Sequence, residues 1–160
     1  MIAGKRVDMR AEVGCLTRNV KVQGDDESTL DQYGAHIMLH SPAIGELATT
    51  VGRISYLECT LCGQAAILGR YPIHFHMLNR VYESYIIGAA VHRTFNRAIA
   101  LHGVHYFTVQ DVVAYDNMGH TFFIENGIES KNRCEFSRHH YPWLWTCICV
   151  FRLELDMLLV

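Results

Sequence analysis

Gly69-Arg70-Tyr71-Pro72-Ile73-His74-Phe75-His76-Met77 is the stretch whose reading decides the fold. A turn opens it, and an alternating strand follows. Side chains along a strand point to opposite faces in turn, so Ile73 and Phe75 share one face and His74 and His76 the other. That pattern predicts buried Ile73 and Phe75, with both imidazoles turned outward.

The segment repeats along the chain. His36-Ile37-Met38-Leu39-His40 aligns with Pro72-Ile73-His74-Phe75-His76 at an offset of 36 residues. The next copy, Ala98-Ile99-Ala100-Leu101-His102, follows at 26, and Thr121-Phe122-Phe123-Ile124-Glu125 at a further 23. The last offset also aligns Ala90-Val91-His92 with Val113-Ala114-Tyr115, so two separate strands repeat together. Periods of 20–50 residues indicate a solenoid. No helical stripe of apolar residues is present, and short strands punctuated by turns favour a β-helix over helical or leucine-rich repeats. The fold expected is all-β: an incomplete right-handed parallel β-helix over residues 1–136. Residues 137–160 form an irregular apolar tail that is either a cap or unrelated sequence.

Further strands are predicted over residues 11–24, 51–59, 84–92 and 107–115, with Ile54 and Leu57 in the core. Coil stacking makes aligned positions neighbours about 4.8 Å apart. Ile37, Ile73, Ile99 and Phe122 then form one interior ladder, and Leu39, Phe75, Leu101 and Ile124 a second.

The opposite face stacks His40, His76, His102 and Glu125. Beside it run His36 or Met38, then His74, Ala100 and Phe123. Ten histidines in 160 residues are a heavy load, and imidazole supplies ligands and proton-transfer groups near neutral pH. His74, His76, His102 and Glu125 are the candidate catalytic set, with Glu125 placed to orient His102. The i, i+2 pair with a cross-strand histidine also suits a divalent metal, whose identity the sequence leaves open. His40, Arg70 and Arg97 are candidate ligand-binding residues, the arginines suited to an anionic sugar. The alternative is a polar ladder on a solvated strand face. His92, His105 and His120 lie off the column and read as structural, and His139-His140 falls in the tail. Asp25-Asp26-Glu27-Ser28 reads as a solvated turn, with calcium binding as its alternative.

A net charge of −2 and scattered Lys and Arg provide no electrostatic footprint for nucleic acid. There are six cysteines. Cys59 and Cys62 have the spacing of one half of a zinc ribbon, but no suitable second pair follows, so free thiols or a disulfide are the simpler readings. The N-terminus lacks the apolar core of a signal peptide. No run of about 18 apolar residues exists to span a membrane.

Arg10-Ala11-Glu12-Val13-Gly14-Cys15-Leu16-Thr17-Arg18-Asn19-Val20, Tyr33-Gly34-Ala35-His36-Ile37-Met38 and the Gly69–His76 motif resemble the fibrocystin-L and fibrocystin family. Phe95-Asn96-Arg97-Ala98 and Ala114-Tyr115-Asp116 extend the resemblance, which runs in order from about residue 8 to 132. It implies a piece of a large extracellular or cell-surface protein, in which a G8 domain is followed by parallel β-helix repeats, so that the start of residues 1–136 adjoins a G8-like region. Membrane attachment would come only through parts of the parent absent here. An oxidising compartment is implied, making cysteine pairing plausible. More distant relatives are hyaluronan-binding proteins and cell-surface hyaluronidases. The implied function is recognition of a glycan such as hyaluronan, or of matrix or surface proteins; the alternatives are a hyaluronidase-like enzyme and a structural spacer.

Overall fold

The computed structural model describes residues 13–41, 50–135 and 149–150. The expected G8-adjoining start, His139-His140, Cys147 and nearly all of the tail fall outside them. Thirteen strands and one short helix are described. They are β1 (Val20–Gln23), α1 (Ser28–Asp31), β2 (Ile37–His40), β3 (Arg53–Ser55), β4 (Leu57–Thr60), β5 (Ile73–Arg80) and β6 (Tyr85–Ile87), followed by β7 (Ala90–Thr94), β8 (Ile99–His105), β9 (Thr108–Gln110), β10 (Val113–Asn117), β11 (Phe122–Ile124), β12 (Arg133–Glu135) and β13 (Cys149–Val150).

Each coil contributes one strand to each of three parallel sheets. Their orders are β1-β4-β7-β10-β13, β2-β5-β8-β11 and β3-β6-β9-β12. This is a parallel β-helix. The expected register holds: Ile37 pairs with Ile73, His40 with His76, His76 with His102, and Phe122 with Ile99.

The strands expected over residues 51–59, 84–92 and 107–115 are each two strands bent at a corner. The corner residues are Tyr56, Gly88 and Asp111, at φ of 49°, 64° and 51°. Five positions later a second left-handed residue recurs, at Leu61, Arg93 and Asp116, with φ of 51°, 50° and 54°. One left-handed residue turns the chain sharply without Pro or a run of glycines. A non-glycine residue pays about 1–2 kcal/mol for it, which stacking of neighbouring coils can offset. The sequence marks these bends only in part: Gly88, Asp111 and Asp116 are turn formers, whereas Tyr56, Leu61 and Arg93 carry no such mark.

The interior is filled by Ile73, Phe75, Leu78, Ile86, Val91, Ile99, Leu101, Val104, Phe107 and Val109, all buried. Each such side chain contributes about 1.5–3 kcal/mol by leaving water. Leu39 and Phe122 pack against this core from the neighbouring coils. Ile124 departs from the expected interior ladder, being 44% exposed. Its strand β11 is the edge of its sheet, and among the described residues no coil covers it. Cys59 and Cys62 form a disulfide. The Asp25 carboxylate is occupied locally, accepting from the Ser28 amide at 3.0 Å and hydroxyl at 2.8 Å at the start of α1.

Candidate functional site

The site lies on the outer face of the β2-β5-β8-β11 sheet. Parallel register brings the rings of His76 and His102 to 4.8 Å, edge to face, and His40 to 5.3 Å from His76. His74 faces the same way, with its ring 4.9 Å from His76 and stacked parallel to His102 at 6.3 Å.

His74 is not solvated, contrary to the sequence expectation; it is 1% exposed. Residues 64–71 fold back over it. Gln64 N–H donates to the Arg70 carbonyl at 2.9 Å, and Asn96 Nδ2 donates to the carbonyls of Gln64 and Ile67 at 2.7 and 3.1 Å. Tyr71 then lies 4.8 Å from the His74 ring. Ala100 is its partner on β8 and adds little bulk, leaving room for the imidazole beneath the loop.

Hydrogen bonding sets the His74 tautomer. Its Nδ1 is 2.9 Å from the Gly69 carbonyl, which can only accept, so Nδ1 carries the proton. Gly69 sits at φ 81°, a backbone state suited to glycine. Nε2 faces Glu125 Oε2 at 3.9 Å, and His102 Nδ1 lies 3.7 Å from the same oxygen. Among the described residues, His74 Nε2, His76 Nδ1 and Glu125 Oε2 are all buried without a hydrogen-bond partner. Burial holds both the His74 and His76 imidazoles below the ordinary histidine range, and neighbouring imidazoles push the same way. A ring nitrogen from each of His74, His76 and His102 lies within 4.8 Å of the others, the kind of grouping that can hold a metal ion.

Arg97 and Tyr71 support the carboxylate. Tyr71 O–H donates to Glu125 Oε1 at 3.3 Å and accepts from Arg97 Nη1 at 2.5 Å. The Arg97 guanidinium lies 3.7 Å over the Phe123 ring and 5.1 Å from that of Tyr71. His74, His76, His102, Glu125 and Arg97 thus come together, with His40 at the rim. Arg70 turns elsewhere, donating to His36 Nε2 at 2.9 Å. Sequence reasoning missed Tyr71 as the link between Arg97 and Glu125. Its signal was its place within the histidine motif.

The three off-column histidines make other contacts. His92 Nε2 is 3.3 Å from Glu58 Oε1, both on the β1-β4-β7-β10-β13 sheet, away from the site. Glu58 is buried and also binds Lys21 Nζ at 2.9 Å and the Arg18 amide at 3.1 Å. His105 Nδ1 accepts from the Ser130 amide at 3.0 Å, and the His120 ring lies 5.5 Å from Phe123.

A model of the CEMIP β-helix family matches residues 32–137. The chain belongs to this family. Fibrocystin-L of Mus musculus is 37% identical over 167 residues, covering 84% of the chain and 4% of that protein. The cell surface hyaluronidase CEMIP2 of Homo sapiens is 38% identical over 144 residues, covering 79% of the chain and 10% of its own length. The cell migration-inducing and hyaluronan-binding protein of Mus musculus is 37% identical over 146 residues, with the same coverage of 79% and 10%. The chain therefore spans a tenth or less of the length of these relatives. No helix among the described residues is long and apolar enough to cross a membrane.

Proposed function

We propose that this β-helix segment acts outside the cell or at its surface and recognises an anionic glycan of the hyaluronan type on the outer face of the β2-β5-β8-β11 sheet. The observation that carries the reading is Arg97. Its guanidinium is held against two aromatic rings beside a recess of imidazole and carboxylate groups. Arginine presents a planar fork of donors that matches a carboxylate, and each repeating unit of hyaluronan carries one. Two relatives are named for hyaluronan, one as a binder and one as a hyaluronidase. The neighbouring imidazoles add donors for sugar hydroxyls. Matrix or surface proteins are the remaining partner class.

The test is calorimetric titration of the full chain with hyaluronan oligosaccharides. Arg97→Ala weakens binding at least about tenfold, equivalent to about 1.4 kcal/mol, and Arg97→Lys restores only part. No binding by the parent chain sinks this reading and leaves the spacer role.

A hydrolytic reading is favoured by the carboxylate beside His102. The separation of 3.7 Å exceeds a hydrogen bond, so this dyad would have to tighten around substrate. Hyaluronan turnover by the full chain, with and without His76→Ala, decides it. Absence of turnover in the parent removes the enzyme reading; turnover unaffected by the substitution removes only this choice of site.

A further inference from the structure

We propose that His74, His76 and His102, with Glu125, form a binding site for a divalent transition-metal cation of the zinc class. The proposal uses the same cluster as the glycan reading but does not rest on it, since metal uptake is measured without glycan.

The argument starts from an electrostatic conflict. His74 Nδ1–H is committed to the Gly69 carbonyl, so Nε2 of the neutral ring presents a lone pair. That lone pair faces a carboxylate oxygen 3.9 Å away. Both are acceptors, both are buried, and neither has a hydrogen-bond partner among the described residues. Two acceptors aimed at one another in a dry pocket repel, and each unmet group costs about 1–3 kcal/mol. A positive charge between them resolves the conflict. A proton on His74 would meet one acceptor and leave His76 Nδ1 unmet. A metal ion meets all of them.

The donor chemistry selects the metal. Three imidazoles and one carboxylate suit zinc and its neighbours rather than calcium or magnesium, which prefer oxygen. Bonds of about 2.0–2.1 Å place tetrahedral donors about 3.4 Å apart. The donor separations here, 3.7 and 3.9 Å from Glu125 to His102 and His74 and up to 4.8 Å among the three imidazoles, lie within about 1.5 Å of that spacing. The surroundings are those of a metal site: a carbonyl fixes the first imidazole, and Tyr71 holds the far oxygen of Glu125.

Calorimetric titration of the metal-free full chain with Zn²⁺ tests this. One equivalent binds, and His76→Ala and His102→Ala each weaken it at least about tenfold, whereas His105→Ala does not. Circular dichroism of the metal-free variants verifies folding. Independently of any variant, Co²⁺ bound to the parent chain produces the strong visible bands of a four-coordinate site without a thiolate charge-transfer band. Failure to bind Zn²⁺, equal affinity in the double His76→Ala, His102→Ala variant, or a thiolate band that moves the metal onto cysteine each overturns the proposal.

Discussion

Phe75→Ala and Ile124→Ala alter two positions aligned by strand register, one inside the coil and one partly in solvent, and their contrast tests the stacking. Phe75 is 0% exposed, and its ring lies 4.3 Å from that of Phe107. A buried aromatic side chain covers about 150–250 Å², and the pair adds about 0.5–1.5 kcal/mol beyond area. At about 25 cal/mol per Å² the whole ring is worth about 4–6 kcal/mol, of which the remaining methyl keeps a part. Collapse into the cavity is resisted, because the rungs above and below are tied to their own strands by backbone register. The expected loss is about 4 kcal/mol, within the range for such truncations. Ile124, at 44% exposure, has already kept much of its surface in water, and its truncation costs about 1 kcal/mol or less. Urea denaturation of the full chain, followed by far-ultraviolet circular dichroism at constant slope, measures both. A Phe75→Ala loss below about 1.5 kcal/mol, or equal losses at the two positions, refutes the reasoning.

Two further outcomes follow from the corners and from the Glu58 cluster. Gly88, at φ 64°, occupies the corner that Tyr56 and Asp111 fill in adjacent coils. A Cβ there would lie 2.7 Å from the exposed Tyr56 ring, which must swing aside, so Gly88→Asn costs about 1–2 kcal/mol and Gly88→Val, whose branched side chain also opposes the left-handed backbone, at least about 1 kcal/mol more; equal melting temperatures of the two variants would contradict this. Burial, aided by Arg93, holds His92 below the ordinary histidine range although Glu58 opposes it. Its native state therefore binds fewer protons than the unfolded chain, and stability falls as pH drops below about 6.5, by up to about 1.4 kcal/mol per pH unit. The urea midpoint of His92→Gln should depend less steeply on pH between about 7 and 5.5 than that of the parent; an unchanged slope counts against the assignment. Glu58 acts in a separate, more acidic window. Burial raises it, but Lys21, the Arg18 amide and His92 together hold it below the ordinary carboxylate range, so its contribution disappears only as pH falls below about 4.5.

The parallel β-helix was legible in the sequence because its determinants are periodic. Ile37, Ile73, Ile99 and Phe122 occupy equivalent positions in a two-residue alternation, and the offsets between copies assign the register. The same alternation places His76 and His102 side by side. Three features required the tertiary structure. The bends at Tyr56 and Leu61 arise from single left-handed residues of types that disfavour that backbone, their strain balanced by coil stacking, so local sequence carries no mark of them. Burial of His74 depends on residues 64–71 folding over a strand face that alternation alone assigns to solvent. The Arg97–Tyr71–Glu125 chain and the Glu58–His92 contact join residues 26 to 54 positions apart in the sequence. Sequence by itself determined which residues share a face; which of them meet, and with which atoms turned toward each other, was decided by the lengths of the intervening loops and the path by which those loops return.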